Sequence, residues 1–371
     1  MPDGTLDIAR FSSLPDKGRL IRLSDRPPNY ATPPEVFTEA VTPRDRFFVR
    51  YHLVAVSEGI NFLDWTLSVA GDGVATPVRL TLADLLDMPQ AEVMVVCQCA
   101  GNRRGLINPH VPGVQWPDGA VGCALWRGPA LRDVLKRANV KAGTVEVAFD
   151  GADSPILPAT PRYKKSIPIE KAMDAKTIVA IAMNGAPLPR LNGLPARLIV
   201  PGWAATYWMK HLVSIDVRTQ PLDSFWMRRA YRLPAGLYPV RSSFASQATE
   251  STVPITDLVV GSMIADPLEG QELDRSGFVV RGVAWDGGSG ISRVEVSLDN
   301  GKTWWDALLD QPLGPYAFRR FSLHTGWIGV GTFQILCRAT SNAGERQPTV
   351  WKANPGGYHF NLPRPVTVSA K

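Results

Sequence analysis

The sequence predicts an α+β protein in which a mixed α/β domain is followed by an immunoglobulin-like β-sandwich. Segments with helical periodicity occur only in the first part of the chain, where they alternate with short β-branched runs. From about Phe244 onward, short alternating runs separated by turn signals are typical of a sandwich. At 371 residues the chain is too long for one ordinary hydrophobic core, so we expect two domains.

We predict three segments along the chain. Residues 1–40 are rich in proline and are expected to wrap irregularly over the surface. Residues 41–243 form the mixed domain, and residues 244–371 form the sandwich. The 32 prolines and 32 glycines are spread along the whole chain, which favours many turns and short strands over one disordered linker.

Each element of the mixed domain has a local signal. Strands are predicted where runs alternate or are rich in β-branched residues, namely 47–52, 61–71, 93–96, 145–150 and 198–202. The segment 80–88 predicts a helix that Thr81 can cap. A second helix is predicted over 129–138, and 166–173 has the pattern of a capped helix start.

The second domain is predicted to consist of strands and turns. Strands are expected over 278–285, 292–298 and 334–339. Asn300-Gly301 predicts a tight hairpin turn, because both positions of that turn type need a positive φ. Cys337 has no cysteine partner in this half of the chain, so we expect no disulfide between the two sheets.

Composition and charge exclude several classes of protein. The net charge is +6, but no long Lys/Arg run or nucleic-acid-binding motif is present, which favours a small anion or an acidic protein over nucleic acid as the partner. No run of about 18 apolar residues predicts a membrane span. The first residues carry no export signal, so the protein is either cytosolic or has lost a leader. The four cysteines match neither a zinc pattern nor the CxxCH of a covalent haem.

One cysteine stands in a setting that favours chemistry. Cys99 follows a predicted buried strand, and Gly101 then breaks the chain before Arg103 and Arg104. Nearby positive charge stabilises a thiolate, which is a nucleophile and a soft-metal ligand. For Cys97 and Cys123 we predict ordinary core positions.

Motifs in separate parts of the chain together resemble the sulfite oxidase family of molybdenum enzymes. They are residues 48–52, 99–105, 184–189 and 195–202, with 296–304 in the sandwich. The resemblance covers roughly residues 35 to 365. Within the family, the chain is similar to the molybdenum subunits of bacterial periplasmic sulfite dehydrogenases that work with a c-type cytochrome. The resemblance therefore implies a molybdopterin-binding domain with the sulfite oxidase fold, followed by the sandwich.

The resemblance also implies a role for individual residues. Cys99 would ligate molybdenum beside the dithiolene of a single molybdopterin. Arg50, Arg104 and Tyr231 would bind the substrate together with His52, while Trp116 either lines the substrate pocket or is a buried core aromatic. The cofactor-binding residues would be Phe48, Arg50, His52, Cys99, Asp153, Asn192, Arg197, Trp208, Met209 and Lys210.

The chain departs from the animal enzymes of the family at several positions. Tyr51 stands in place of an asparagine, and Asn192 stands in place of a histidine. No arginine occurs in 354–361, where animal enzymes would supply a third one. This departure puts the usual homodimer in doubt and favours a heterodimer.

The implied activity is the oxidation of sulfite to sulfate at the molybdenum centre. Because no haem motif lies on this chain, a c-type cytochrome would take the electrons one at a time, in the periplasm after removal of a leader. The alternative on the same fold is a molybdopterin-dependent reductase of protein methionine sulfoxide or nitrate. A non-enzymatic sandwich module for adhesion or scaffolding is a further possibility, although it leaves the clustered Cys99, Arg50, Arg104 and Tyr231 as coincidence.

Overall fold

The computed structural model describes residues 17–54, 64–155 and 157–371. Up to residue 254, the strands in chain order are β1 (Ile21–Asp25), β2 (Pro28–Ala31), β3 (Val49–Arg50), β4 (Thr66–Ala70), β5 (Val78–Thr81), β6 (Gln90–Gln98), β7 (Val121–Pro129), β8 (Glu146–Gly151), β9 (Lys164–Pro168), β10 (Ile178–Ala180), β11 (Ala182–Met183), β12 (Ala186–Pro187), β13 (Arg197–Ile199), β14 (Leu212–Arg218), β15 (Arg232–Pro234) and β16 (Thr252–Pro254). The α-helices are short, namely α1 (Leu82–Asp87), α2 (Leu131–Lys136), α3 (Ile169–Ala172) and α4 (Phe225–Arg228). Single 3₁₀ turns span Pro34–Thr38, Arg44–Arg46, Arg104–Leu106, Arg190–Asn192, Ala205–Tyr207 and Ala245–Gln247.

Two sheets form the centre of the mixed domain. One has the order β5-β4-β14-β8-β9, in which β14 runs parallel to β4 and the other pairs are antiparallel. The other has the order β12-β11-β7-β6, and its long β6–β7 pair is antiparallel. Helices pack on these sheets, so the predicted α+β class is confirmed for this part of the chain.

Helices form at all three predicted places, the third as α3 (Ile169–Ala172), but the cap predicted for the third helix is wrong. In α1, Thr81 accepts from the backbone N–H of Asp84 and the Asp84 carboxylate accepts from that of Thr81, so the predicted cap is a reciprocal capping box. The helix predicted over 129–138 forms as α2. Ser166 does not cap a helix, because it lies within β9 and its hydroxyl donates to Glu146 at 2.6 Å.

The second domain is a sandwich of two sheets. Its strands are β17 (Gly261–Asp266), β18 (Glu272–Leu273), β19 (Val279–Trp285), β20 (Ile291–Ser297), β21 (Trp305–Asp306), β22 (Leu308–Leu309), β23 (Arg319–His324), β24 (Gly331–Ser341) and β25 (Val366–Ala370). The sheet orders are β17-β19-β23-β22 and β18-β25-β24-β20-β21. Alternate side chains such as Val280, Val296 and Ile335 meet between the sheets. The predicted turn at Asn300-Gly301 is confirmed by φ values of 58° and 85°.

The N-terminal segment is more regular than predicted. Residues 1–16 lie outside the described residues, as does part of the predicted strand 61–71, but β1 and β2 form an antiparallel pair and β2 continues to β3. In that second pair Asn29 lies opposite Arg50. The N-terminal strands thus hold Arg50, one of the predicted substrate-binding residues, on a small sheet.

The two domains share buried surface. The large hydrophobic core of the mixed domain extends onto the sandwich, where it includes Met263, Val283, Trp285 and Phe318. Arg103 also reaches across, because its guanidinium donates to the carbonyl of Ser262 at 2.7 Å. No helix among the described residues is long and apolar enough to span a membrane.

Candidate active site

The β6–β7 hairpin delivers Cys99 to a cavity. Cys97 is the partner of Gly122 in the ladder, and the backbone N–H of Cys99 still donates to the carbonyl of Ala120 at 2.9 Å. The chain then turns away from the sheet, and Arg103 has a left-handed φ of 66°. Cys99 is 8% exposed, and this small exposed fraction opens into the cavity. The strand therefore fixes the position of the thiol, while the turn places it at the cavity wall.

The cavity brings together most of the predicted site residues. From six separate stretches of the chain it gathers Phe48, Arg50, His52, Cys99, Asp153, Asn192, Arg197, Trp208, Met209, Lys210 and Tyr231. Such a convergence of cations, a thiol and aromatic side chains in one concave site is the arrangement expected of an active site.

Two of the predicted site residues, Trp116 and Arg104, are not among the described residues that line this cavity. Trp116 is completely buried behind Phe48, with the two ring centroids 6.5 Å apart and the rings perpendicular, so it is a core aromatic. Arg104 is also set back from the wall. Its Nε donates to the carbonyl of Gly356 at 2.9 Å, and its guanidinium carbon lies 5.4 Å from the centre of the Tyr358 ring.

The cavity also contains residues to which the sequence analysis assigned no role in the site. These are Tyr51, Ala100, Tyr163, Leu191, Ala205 and Thr206. Tyr163 is the most informative of them, because its ring stacks on His52 with centroids 4.6 Å apart. Its hydroxyl lies 2.7 Å from the hydroxyl of Thr206. Tyr51 and Ala100 adjoin motif residues and could have been found that way, but no motif surrounds Tyr163.

One group of cavity residues suits an anion. Nζ of Lys210 is buried and has no hydrogen-bond partner among the described residues, and it lies 2.8 Å from the centre of the Tyr51 ring. Nε of Arg197 is likewise buried without a partner in the described chain. Burial lowers the pKa of Lys210 well below its usual value, although Asp153 opposes the shift. An anionic group would supply these cations with the partners that they lack.

His52 and Tyr231 form a pair on the cavity wall. Nε2 of His52 contacts the hydroxyl of Tyr231, and Tyr231 itself has a left-handed φ of 57°. Burial lowers the pKa of His52 well below 6.5, and Arg50 and Lys210 lower it further. Burial raises the pKa of Tyr231. At neutral pH His52 is therefore a neutral imidazole beside a protonated phenol, and the pair can relay a proton.

The other three cysteines behave as core residues. Burial raises the pKa of Cys97 to about 11, that of Cys123 to about 12 and that of Cys337 to about 11. All three are buried thiols without a disulfide. The predicted core positions of Cys97 and Cys123 are thus confirmed, and the expected lack of a disulfide at Cys337 agrees with its free thiol.

The residues of the cavity fit a molybdopterin. Its phosphate needs cations without other partners, and Lys210 and Arg197 have orphaned nitrogen atoms there. Its metal needs a soft donor, which Cys99 provides at the same cavity. Among the described residues, Cys99 would serve as the metal's protein ligand without a surrounding cluster of three His, Cys, Asp or Glu side chains.

Buried neutral histidines predict a loss of stability in mild acid. Nδ1 of His211 donates to the carbonyl of Leu194 at 2.7 Å and its Nε2 faces the hydroxyl of Tyr51 at 2.6 Å, and burial lowers its pKa to about 3. Burial lowers the pKa of His359 to about 4. Below pH 6.5 these histidines bind protons in the unfolded chain but stay neutral in the folded chain. As the pH falls, the free energy of unfolding should therefore decrease by up to about 1.4 kcal/mol per pH unit for each of the two histidines.

Urea denaturation between pH 7 and pH 5 measures this slope. His359→Gln should lower the slope by the share of one histidine, while His110→Gln, at an exposed position, should leave it unchanged. A free energy of unfolding that stays constant over this range would contradict the prediction.

Comparison with known proteins assigns the two domains to families. The family model "Oxidoreductase molybdopterin binding domain" matches residues 54–226, and the model "Mo-co oxidoreductase dimerisation domain" matches residues 252–361. Among solved structures, the crystal structure of the sulfane dehydrogenase SoxCD from Paracoccus pantotrophus is similar, with a TM-score of 0.76 and 27% identity over 94% of this chain and 86% of that chain.

Sequence relatives point to the same family. Human mitochondrial sulfite oxidase is 36% identical over 88% of this chain and 61% of its own length. The chain spans 60–63% of the length of the mammalian sulfite oxidases that it matches. Sulfite oxidase of Gallus gallus is 32% identical, and the match covers 91% of this chain and 75% of that protein. Since this identity extends through both domains and the cavity fits the cofactor, the chain belongs to the sulfite oxidase family of molybdopterin-binding oxidoreductases.

Proposed function

We propose that the protein oxidises sulfite to sulfate at a molybdenum–molybdopterin centre and passes the electrons singly to a c-type cytochrome. The reaction consumes sulfite and water and yields sulfate, two protons and two electrons, which reduce two one-electron acceptors. The observation that carries the proposal is the thiol of Cys99 in a cavity whose wall also bears Arg50, His52 and Tyr231. The relatives named sulfite oxidase support the choice of substrate.

The arginines bind the anion. Arg50 lines the cavity, and one of its guanidinium nitrogens donates to Asn29 at 3.1 Å, which holds the side chain in place. Nε and Nη1 of Arg104 are used by the carbonyls of Gly356 and Val114, at 2.9 and 3.4 Å, which leaves its Nη2 edge for an oxoanion. The planar guanidinium group donates two N–H hydrogen bonds from one edge to the oxygens of an oxoanion, and these bonds are charge-assisted.

The remaining residues would bind the metal and transfer protons. When bound, the molybdenum centre supplies oxygen-atom transfer and the storage of two electrons. Cys99 holds the metal as a thiolate, which is a soft and strongly donating ligand. The Tyr231 hydroxyl faces the cavity as a hydrogen-bond donor for the substrate oxyanion, and its contact with Nε2 of the neutral His52 imidazole provides a path along which a proton can be relayed.

The electron acceptor and the cellular location are further parts of the proposal. A net charge of +6 favours an acidic partner protein, because opposite charges speed the encounter. We propose a c-type cytochrome subunit, a heterodimer and a periplasmic location, on the resemblance of the motifs to periplasmic sulfite dehydrogenases. The match of residues 252–361 to a dimerisation domain makes a homodimer the rival assembly, and light scattering of the purified protein separates the two.

Sulfane sulfur is a second candidate substrate. The solved structure with a TM-score of 0.76 is named a sulfane dehydrogenase, and that chemistry also removes electrons from sulfur. Reduction of methionine sulfoxide or of nitrate is a third candidate activity, which would run the electrons in the opposite direction.

One set of assays on the metal-loaded protein distinguishes these functions. Sulfite with oxidised cytochrome c should give sulfate and two reduced cytochromes per sulfate. Thiosulfate, which carries a sulfane sulfur, should react far more slowly with the same acceptor. Methionine sulfoxide or nitrate with a reduced dye should give no turnover. Turnover of thiosulfate, sulfoxide or nitrate without turnover of sulfite would replace the proposed function with the activity observed.

A further inference from the structure

A short segment of the second domain packs against residues of the candidate active site. In residues 354–359, the side-chain oxygen of Asn354 accepts from the backbone N–H of Tyr358 at 2.9 Å, and its amide donates to the carbonyl of Tyr358 at 2.9 Å. Gly357 between them has a left-handed φ of 58°. The two hydrogen bonds of Asn354 therefore fix Tyr358 from within the segment, independently of the mixed domain.

The same segment is attached to the loop that follows Cys99. The backbone N–H of His359 donates to the carbonyl of Ala100 at 3.3 Å, and the carbonyl of Gly356 accepts from Nε of Arg104 at 2.9 Å. A Cβ atom at Gly357 would lie 2.4 Å from Val111 and 3.1 Å from the Arg104 side chain. The segment thus packs directly on Arg104, without room for a larger residue at Gly357.

Tyr358 connects two of the predicted substrate-binding residues. One face of its ring lies near the Arg104 guanidinium, with the carbon atom 5.4 Å from the ring centre. The ring also stacks on that of Tyr231, with centroids 5.6 Å apart and an angle of 17° between the planes. In addition, the Tyr358 hydroxyl accepts from the backbone N–H of Tyr231 at 3.3 Å.

We propose that Tyr358 is a positioning residue, which holds Arg104 and Tyr231 in the arrangement that binds the substrate oxoanion. The inference rests on the proposed function, since it concerns the same site. Arg104 is set back from the cavity, and the carbonyls of Gly356 and Val114 accept hydrogen bonds from its guanidinium. The Tyr358 ring lies against the same guanidinium and further limits the directions in which it can move. Tyr231 needs a similar restraint because its backbone has a left-handed φ of 57°, which is unfavourable for a tyrosine. The second domain therefore contributes to substrate affinity through one side chain.

The test compares two variants of Tyr358 with one of Tyr238. Tyr358→Leu removes the ring and the hydroxyl, whereas Tyr358→Phe keeps the ring. Tyr238→Leu is the matched control, because the Tyr238 ring packs on His359 of the same segment, with centroids 5.0 Å apart, rather than on Arg104 or Tyr231. We expect Tyr358→Leu to raise KM for sulfite about tenfold with a smaller change in kcat, because it loses binding of the anion. Tyr358→Phe should stay within about threefold, and the control should leave KM unchanged.

Sulfate binding, measured by calorimetry on the metal-loaded proteins, separates this inference from the proposed function. The dissociation constant for sulfate should rise about tenfold in Tyr358→Leu and stay near the wild-type value in Tyr358→Phe and Tyr238→Leu. Equal effects in Tyr358→Leu and Tyr238→Leu, unchanged affinity in Tyr358→Leu, an equal loss in Tyr358→Phe, or no sulfate binding by the wild type would overturn the role of Tyr358. Wild-type protein that binds sulfate but does not oxidise sulfite would refute the proposed function alone.

Discussion

Replacing Cys99 by serine is expected to lower molybdenum-dependent sulfite oxidation on the order of a thousandfold, equivalent to about 4 kcal/mol in the activation barrier. The thiol lies at the end of β6 and opens into the cavity that holds Arg50 and Tyr231. A serine side chain is close in shape to a cysteine side chain, but its hydroxyl is much less acidic and its oxygen is a hard ligand. It therefore cannot replace a thiolate as the ligand of a soft metal. Sulfite-dependent reduction of cytochrome c measures the loss.

Cys123→Ser is the matched control for this substitution. Cys123 lies on β7, which is paired with β6, and it is completely buried away from the cavity wall. The control should lose some stability, because the hydroxyl is buried in a hydrophobic core, but it should keep its rate of sulfite oxidation. Sulfite oxidation by Cys99→Ser at the rate of the control would refute the assignment of Cys99 as the metal ligand.

Replacing Asp118 by alanine is expected to lower the free energy of unfolding by about 3–5 kcal/mol. The Asp118 carboxylate is buried between the guanidiniums of Arg103 and Arg364. Burial alone would raise the pKa of Asp118, but the two arginines lower it on balance, so the carboxylate is ionised. Without it, the Arg103 charge would remain buried at the domain boundary, where it also donates to the carbonyl of Ser262.

Urea denaturation at neutral pH measures this effect. Asp306→Ala is the control, because Asp306 pairs with Arg293 on the surface and both side chains are more than half exposed. The control should change the free energy of unfolding by less than about 1 kcal/mol, as is usual for exposed ion pairs. Equal effects of the two substitutions would contradict the predicted cost of leaving the Arg103 charge buried without its carboxylate.

The sequence correctly predicted those helix caps and turns whose geometry depends only on residues close together in the chain. Thr81 and Asp84 are three positions apart and cap α1 by themselves, and the turn at Asn300-Gly301 needs only its own positive φ values. The helix predicted over 166–173 forms at Ile169–Ala172, but its predicted cap at Ser166 was wrong, because that position depends on a distant strand. A serine before an apolar run resembles a helix cap, but pairing of β9 with β8 places Ser166 in a strand.

The sequence predicted those residues of the candidate site that lie in motifs, but not those that reach the site only because distant segments of the chain pack together. Arg50, Cys99 and Arg197 stand in recognisable motifs, and the structure gathers them in one cavity. Tyr163 and Tyr358 have no such motif. Tyr163 reaches the site through its ring contact with His52, and Tyr358 lies far from Arg104 in the sequence, in the second domain. Only the packing of the second domain on the first brings Tyr358 to the site.

X-ray absorption at the molybdenum edge tests the central claim most directly, because it counts the sulfur atoms bound to the metal. The wild-type protein should show three sulfur ligands, two from the dithiolene of the pterin and one from Cys99. Cys99→Ser, with molybdenum still bound through the pterin, should show two. The same number of sulfur ligands in both proteins, or wild-type protein without molybdenum from a host that makes the cofactor, would contradict the claim.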